Sequence, residues 1–370
     1  MRSPTTADAP LLLYDFLSVY GGAERVLAIM QAHWDSDVCV GFSRTESFGR
    51  QIPANRLIDL RADHFLQPLM IAKLLRAFRT RGEQAASRYP LRLYAGSYSV
   101  LAHRPEHPGT SLYYCHTPPR FLYDLRDHYV HASPQWQRPL LATLRAWLQP
   151  RYETAVKGMH TVWANSRNVQ QRLKTHVGVE SQVVYPPVDT DRFKWIADGN
   201  YFLSTSRLEP LKRVDVLVEA FKAMPQHTLV ITSGGSEFER LKRMAADSTN
   251  IRFTGWTSDE QLRRLMGEAR ATLYVPKDED FGMSPVESMA AGKPVIGVAE
   301  GGVLETVLHG ETGILIQQPT PEAVRDAVTE MSSTRGLNMR TACEDRATMF
   351  SRARFFSTID SALNAINIKP

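Results

Sequence analysis

Short apolar runs alternate along this chain with longer stretches whose apolar positions recur at helical spacing. The run at 11–16 (LLLYDF) reads as a buried strand, the glycine pair Gly21-Gly22 follows it, and 23–30 (AERVLAIM) has helical periodicity. Further strand-like runs stand at 111–115 and 161–164, with helical stretches such as 140–156 between them. A second series starts after 183–188 (VVYPPV): strand 201–205, helix 214–223, strand 228–232, helix 237–246, then strands 251–254, 271–275 and 294–298. Strands that are apolar throughout and alternate with helices suit a parallel sheet covered on both faces. The fold class predicted is therefore α/β, with two Rossmann-like doubly wound parallel-sheet domains in succession. Expected bounds are 1–188 for the first domain, 189–345 for the second, and 346–370 for a C-terminal helix returning to the first. The stiff Tyr185-Pro186-Pro187 marks the hinge.

Composition adds limits rather than detail. At 370 residues, 43% hydrophobic and 22% charged, the chain has the length for two globular domains and not the balance of a disordered one. Cys39, Cys115 and Cys343 show neither metal-ligand spacing nor a paired framework, so a reducing, cytoplasmic setting is expected. Residues 1–10 are polar, and Tyr14 and Asp15 break the apolar stretch after them, so neither a signal peptide nor a spanning helix is expected.

The net charge of +5 is unevenly spread, because 72–92 holds Lys73, Arg76, Arg79, Arg81, Arg88 and Arg92 against Glu83 alone. On a helix, Lys73, Arg76 and Arg79 share one arc, with Met70, Ile71, Leu74, Leu75, Ala77 and Phe78 opposite. Such a helix can rest on an anionic inner membrane as a peripheral contact, or pack on a core with its charges in water. Both readings stand at this point.

The chemistry concentrates at 279–287 (EDFGMSPVE), between a strand-like run and a helix-like one. Glu279 and Glu287 flank a glycine turn, and Ser284-Pro285 reads as an N-cap with a first-turn proline. A nucleotide-sugar needs free N–H groups at a helix start for its phosphates and acceptor groups for its hydroxyls, and this segment supplies both. Two other Glu pairs share the spacing, Glu260 with Glu268 and Glu322 with Glu330, but both fall in amphipathic runs where a solvated Glu is ordinary.

Supporting signals are weaker singly. After strand 201–205, Arg207 and Lys212 put a planar fork and a compact charge at a strand's carboxyl end, where α/β sheets bind ligands; an exposed basic loop looks the same. Ser233-Gly234-Gly235 and the pair Gly301-Gly302 end neighbouring strands, so three loops converge, although turn glycines are common without a ligand. Gly21-Gly22 lacks the third glycine of a dinucleotide fingerprint. His116 and Arg120, in 113–120 (YYCHTPPR), follow a strand; from the residues alone, a structural histidine is the commoner case. The acidic doublets Asp35/Asp37, Asp189/Asp191 and Asp278/Asp280 do not assemble a ligand set, so no metal is expected.

With these segments in place, the chain resembles the retaining glycosyltransferases of family four, which have the two-domain GT-B fold with lobes facing across a cleft. The motifs are 20–26 (YGGAERV), 114–124 (YCHTPPRFLYD), 164–173 (ANSRNVQQRL), 183–193 (VVYPPVDTDRF), 206–215 (SRLEPLKRVD) and 279–296 (EDFGMSPVESMAAGKPVI). The earlier ones resemble the WbaZ-like bacterial mannosyltransferases of O-antigen and exopolysaccharide assembly, which work on polyprenyl-diphosphate carriers. The resemblance implies that Glu287 holds the donor ribose, Arg207 and Lys212 the diphosphate, and Glu279 the sugar hydroxyls. It adds backbone contacts from Phe281, Gly282 and Met283, His116 at the sugar near the reacting carbon, and Gly21 and Gly22 beside the diphosphate. Gly301 and Gly302, read from the residues alone, would let backbone approach the phosphates closely. The stretch 89–113, where the family carries a recognition loop, is short here.

The expected activity is transfer of mannose from GDP-mannose to a lipid-linked oligosaccharide acceptor, with no metal and no nucleic-acid partner. A UDP-sugar or GDP-fucose donor in the same architecture is one rival. A non-catalytic protein binding nucleic acid or anionic membrane through 72–92 is the rival from another class.

Overall fold

The computed structural model describes residues 9–18, 21–44 and 52–365. Residues 1–8 of the polar N-terminus, Tyr20 of the YGGAERV motif and residues 366–370 of the C-terminal segment lie outside the described residues. The chain divides into two units, Met1–Tyr185 together with Thr358–Pro370, and Pro186–Ser357. The helix Arg352–Ala365 thus starts in the second unit and ends in the first.

The first unit is built on a parallel sheet of seven strands. These are β1 (Leu11–Tyr14), β2 (Val38–Val40), β3 (Leu57–Asp59), β4 (Leu91–Tyr94), β5 (Thr110–Cys115), β6 (Thr161–Ala164) and β7 (Gln182–Val183), in the spatial order β3-β2-β1-β4-β5-β6-β7. The second unit has six: β8 (Tyr201–Ser204), β9 (Thr228–Thr232), β10 (Ile251–Gly255), β11 (Ala271–Tyr274), β12 (Val295–Val298) and β13 (Gly313–Ile316), ordered β10-β9-β8-β11-β12-β13. All pairings are parallel, and the central strands are buried along their length, as the apolar runs require.

In each sheet the chain winds outward in both directions from a central pair, β1 with β4 and β8 with β11. Helices leave the carboxyl ends of such a pair toward opposite faces, which opens a crevice there and makes it the place where a doubly wound sheet binds ligands.

One face of the first sheet, with Leu11, Leu13, Tyr94, Tyr113 and Val162, packs against Phe78, Val100, Leu148 and Tyr152. In the second unit Phe193, Leu203, Val230, Met266 and Ala291 form a corresponding cluster. All three cysteines are buried, and none is in a disulfide. Among the described residues no helix is long and apolar enough to cross a membrane.

The basic segment resolves into the helix Gln67–Ala77, a π turn Phe78–Gly82 and a helical turn Glu83–Ala86. Leu74, Ala77 and Phe78 are buried in the core, with Met70 and Leu75 packed on it, so the apolar arc is already covered. Lys73, Arg76, Arg79, Arg81 and Arg88 are exposed, but Arg92 is not. It sits in β4, paired in register with Leu11 and Ser111 and 1% exposed, so the charge excess counted over 72–92 is not all in water. A short strand interrupted by a cation carries no periodic signature of its own.

Candidate functional site

In the second unit, the loops leaving β8, β11 and β12 meet at the crevice. Lys212 closes a 3-10 turn (Pro210–Lys212) after β8. Its Nζ lies 2.6 Å from Glu279 Oε2, in the loop after β11, with the two side chains 17% and 20% exposed. The same ammonium stands 5.7 Å from the centre of the Tyr274 ring, at the end of β11. Burial raises the Tyr274 phenol well above its ordinary range, and the carboxylates of Glu279, Asp280 and Glu287 push it the same way, so the tyrosine stays neutral and can donate. Glu287, 3% exposed on the helix Met283–Ala290, therefore shares this neighbour with Glu279.

Backbone strain marks the same edge. Arg213 (φ 51°), Ser233 (φ 93°) and Asp278 (φ 46°) are non-glycine residues with left-handed backbone, and they follow β8, β9 and β11. Each such residue costs about 1–3 kcal/mol and persists only where its surroundings hold it. Glu300, just past β12, holds two of them: Arg213 Nη1 donates to Oε1 at 2.8 Å and the Asp278 N–H to Oε2 at 3.1 Å. The Lys277 N–H donates to the Leu211 carbonyl at 2.7 Å, closing the link between the loops.

The glycines expected to receive phosphates have more local duties. The Gly302 N–H donates to the Glu279 carbonyl at 2.8 Å, and a Cβ on Gly302 would run into the Phe281 Cα, so this glycine lets two loops touch. Gly301 takes a left-handed φ of 55°. Phe281 is 2% exposed and meets Phe350 edge-on at 5.3 Å, which leaves only its backbone for a ligand. The helix begins at Met283 with Gly282 (φ 90°) as its N-cap, two residues before the start expected from Ser284-Pro285. Left-handed glycine permits the early start, and Pro285 is tolerated in the first turn because its missing N–H has no intrahelical partner there. Arg207 is exposed and, among the described residues, its side chain makes no hydrogen bond or ion pair.

In the first unit, His116 follows β5 and meets Tyr114 and Tyr14 edge-on, at 5.1 and 6.3 Å between ring centres. Burial lowers it to about 4, so it is neutral near pH 7, and its Nε2 is sealed from solvent without a partner. The Tyr14 hydroxyl donates to Glu24 Oε1 at 3.1 Å, while Glu24 Oε2 accepts the Gly21 N–H at 3.1 Å. Gly21 caps the helix Gly22–Trp34 in this way, so His116 and the Gly21-Gly22 turn are linked through two side chains the sequence did not single out. Arg120 forms an ion pair with Asp124 at 2.7 Å.

The crevice of this sheet is occupied from within. Asp15, one residue past β1, accepts N–H groups of Ser97, Tyr98 and Ser99 at 2.7, 2.7 and 2.8 Å. Burial raises the carboxyl to about 6, against the downward pull of those donors. Tyr14, Asp15, Glu24, Arg213, Tyr274 and Glu300 are thus the site residues that motif reading missed. Their one common signal is position, at or just beyond a strand's carboxyl end or in the first turn of the helix that follows.

Residues 188–349 match the sequence profile of the family described as glycosyl transferases group 1. An alpha-1,3/1,6-mannosyltransferase ALG2 from Rhizomucor pusillus is 27% identical over 203 residues, covering 40% of this chain and 45% of that protein. A GDP-mannose-dependent alpha-(1-6)-phosphatidylinositol monomannoside mannosyltransferase from Mycobacterium tuberculosis is 30% identical over 203 residues, covering 47% and 53%. The chain spans about half the length of these curated relatives. Among solved structures, a sucrose-phosphate synthase from Thermosynechococcus elongatus superposes with a TM-score of 0.76 at 19% identity, covering 97% of this chain and 99% of that one. The Anabaena protein HepE, in complex with UDP and glucose, superposes at 0.72 and 20% identity, covering 96% and 99%. The resemblance to family-four glycosyltransferases is borne out, and the fold is GT-B.

Proposed function

We propose that this group 1 glycosyltransferase moves mannose from GDP-mannose to a polyprenyl-diphosphate-linked oligosaccharide, with retention at the anomeric carbon. The carrying observation is the Lys212–Glu279 ion pair at the crevice of the second sheet, with the unengaged Arg207 in the loop that also bears Lys212. Lys212 and Arg207 take the diphosphate, Glu279 the sugar hydroxyls, Glu287 the ribose, and His116 the sugar near its reacting carbon. Gly21, Gly22, Gly282, Met283 and Gly301 supply backbone around the phosphates. As the bond from the anomeric carbon to the diphosphate oxygen breaks, its electron pair passes to the diphosphate. The cations bind that growing charge better than they bind the intact donor. The acceptor oxygen bonds to the same face of the carbon, and its proton goes to the departing diphosphate, so the reading needs neither a metal nor a protein base.

Support for mannose comes from the relatives' names, and support for a lipid carrier from the WbaZ-like motifs of the first half. Charge adds to the second: 1–185 holds 22 Lys and Arg against 14 Asp and Glu, a net +8, whereas 186–370 holds 22 against 25, a net −3. Phe65, Leu66 and Leu69 stand 87%, 48% and 48% exposed at the head of the helix bearing Lys73 and Arg76. Apolar tips followed by cations suit peripheral contact with the cytoplasmic face of an anionic membrane.

The deciding experiment incubates purified protein with GDP-mannose, UDP-glucose, UDP-galactose or GDP-fucose and polyprenyl-diphosphate-linked acceptors, and weighs the product. A single hexose added from GDP-mannose alone is the expected outcome. Transfer from a UDP-sugar only would replace the donor, and no transfer from any would remove the proposal.

A further inference from the structure

β10 ends irregularly. Its pairing with β9 slips between Phe253 and Gly255, and Gly255 takes a left-handed φ of 70°. A bulge of this kind breaks the alternation of a strand and re-aims the side chain beyond it. That side chain is Trp256, which is 70% exposed. Among the described residues at the carboxyl ends of the six strands of this sheet, it is the only exposed large aromatic.

The indole is seated rather than loose. A Cβ on Gly234, in the loop after β9, would come within 2.5 Å of Trp256 Nε1 and 2.9 Å of its Cε2, so glycine is what lets the ring come down onto the backbone. The Gly234 carbonyl accepts the Leu208 N–H at 2.9 Å, and Leu208 follows Arg207. The Ser233 N–H donates to the Gly255 carbonyl at 2.8 Å, fixing the bulge to the same loop. Trp256, Gly234 and the Arg207 loop therefore make one continuous surface along the carboxyl ends of β10, β9 and β8. From the crevice between β8 and β11 to β10 is two and a half strand spacings, about 12 Å. That is the reach from a diphosphate through a ribose to its base. In the other direction, the loops after β12 and β13 present no exposed aromatic among the described residues.

We propose that Trp256 is the stacking platform for the nucleobase of a nucleoside diphosphate, and that it favours a purine over a pyrimidine because the larger ring covers more of the indole. The inference rests on the reading of the crevice as a diphosphate site. It assigns base selection to a residue to which the motifs gave no role.

The test is calorimetric titration of wild type, Trp256→Ala and Trp256→Phe with GDP, UDP and inorganic pyrophosphate. Wild type binds GDP more tightly than UDP. Trp256→Ala weakens GDP about tenfold or more and narrows the gap between the two nucleotides, Trp256→Phe restores most of the loss, and pyrophosphate binds all three proteins alike. The side chain is mostly in water, so the fold survives the change, and the pyrophosphate arm verifies that. Unchanged GDP affinity in Trp256→Ala overturns the platform while leaving the diphosphate site in place. Wild type that binds neither nucleotide nor pyrophosphate overturns the crevice reading, and the platform with it.

Discussion

At the crevice of the first sheet, between β1 and β4, the carboxylate of Asp15 already collects three backbone N–H groups. At the crevice of the second, between β8 and β11, the matching charge is cationic, and it is held by a side chain, Glu279, rather than by the backbone. Two sheets wound in the same way thus use the same topological position differently. The first fills it with its own anion. The second fills it with a paired cation and anion, and the left-handed residues Arg213, Ser233 and Asp278 follow β8, β9 and β11 at the same edge. The contrast teaches that the winding of a sheet nominates a site, while the sign and ownership of the charges there decide whether a ligand can enter.

The sharpest way to break the comparison is to remove one acid from each crevice. Glu279→Ala is expected to lower turnover about a hundredfold or more, while the lost ion pair costs stability only about 1 kcal/mol. Steady-state rates with a urea unfolding curve give both numbers, and turnover near wild type would cancel the role assigned to Glu279. A non-catalytic binder of lipid or nucleic acid would keep its binding after the same change.

Acid sharpens the contrast next. His116 and His103 are both lowered to about 4 by burial, against an ordinary value of 6.5. As pH falls, the unfolded chain takes the proton first, so stability is intact above 6.5, declines between 6.5 and 4, and is flat below 4. For His116 the loss is about 3 kcal/mol, and His116→Gln should remove its share. Asp15 acts in the opposite sense. Its folded value lies above its ordinary one, so its contribution is fully present below 3.8 and lost as pH rises through about 6. Hydrogen exchange across pH, read separately in the two sheets, should show the loss in the first; an equal loss in the second would contradict it.

Asp15→Ala is the mirror of the Glu279 variant. It strands three N–H groups and is expected to lower the stability of the first unit by roughly 2 kcal/mol, visible as a lower urea midpoint. No shift would mean that the three donors find other partners. The smallest effect concerns the charge asymmetry. Lys73→Gln or Arg76→Gln should each weaken sedimentation with anionic vesicles by about 1 kcal/mol, and unchanged sedimentation would separate the basic face from any membrane.

Much of the architecture was legible because apolar strands such as 228–232 and 271–275 are long enough to stand out between helices. Of the strands that escaped, β2, β3 and β7 have only two or three residues, β4 carries Arg92, and β13 is a four-residue run that opens on a glycine. A buried cation cannot be told from a solvated one without knowing its sheet partners. At the site, residues inside dense motifs were visible, as Lys212 and Glu279 show. Glu300, Tyr274 and Asp15 were not, because each acts through loops distant in sequence, and only the winding of the sheet brings those loops together.

The pairing of Lys212 with Glu279 has a consequence for life among competing solutes. An ammonium that already has a counter-ion is a poor trap for stray orthophosphate, which would have to evict the carboxylate and return nothing to it. On the proposed reading, a sugar diphosphate would offer each half of the pair a new companion, oxygens for the lysine and hydroxyls for the glutamate. Loss of the sugar would then, on the same reading, let Glu279 reclaim the lysine, and that would help expel the spent nucleotide.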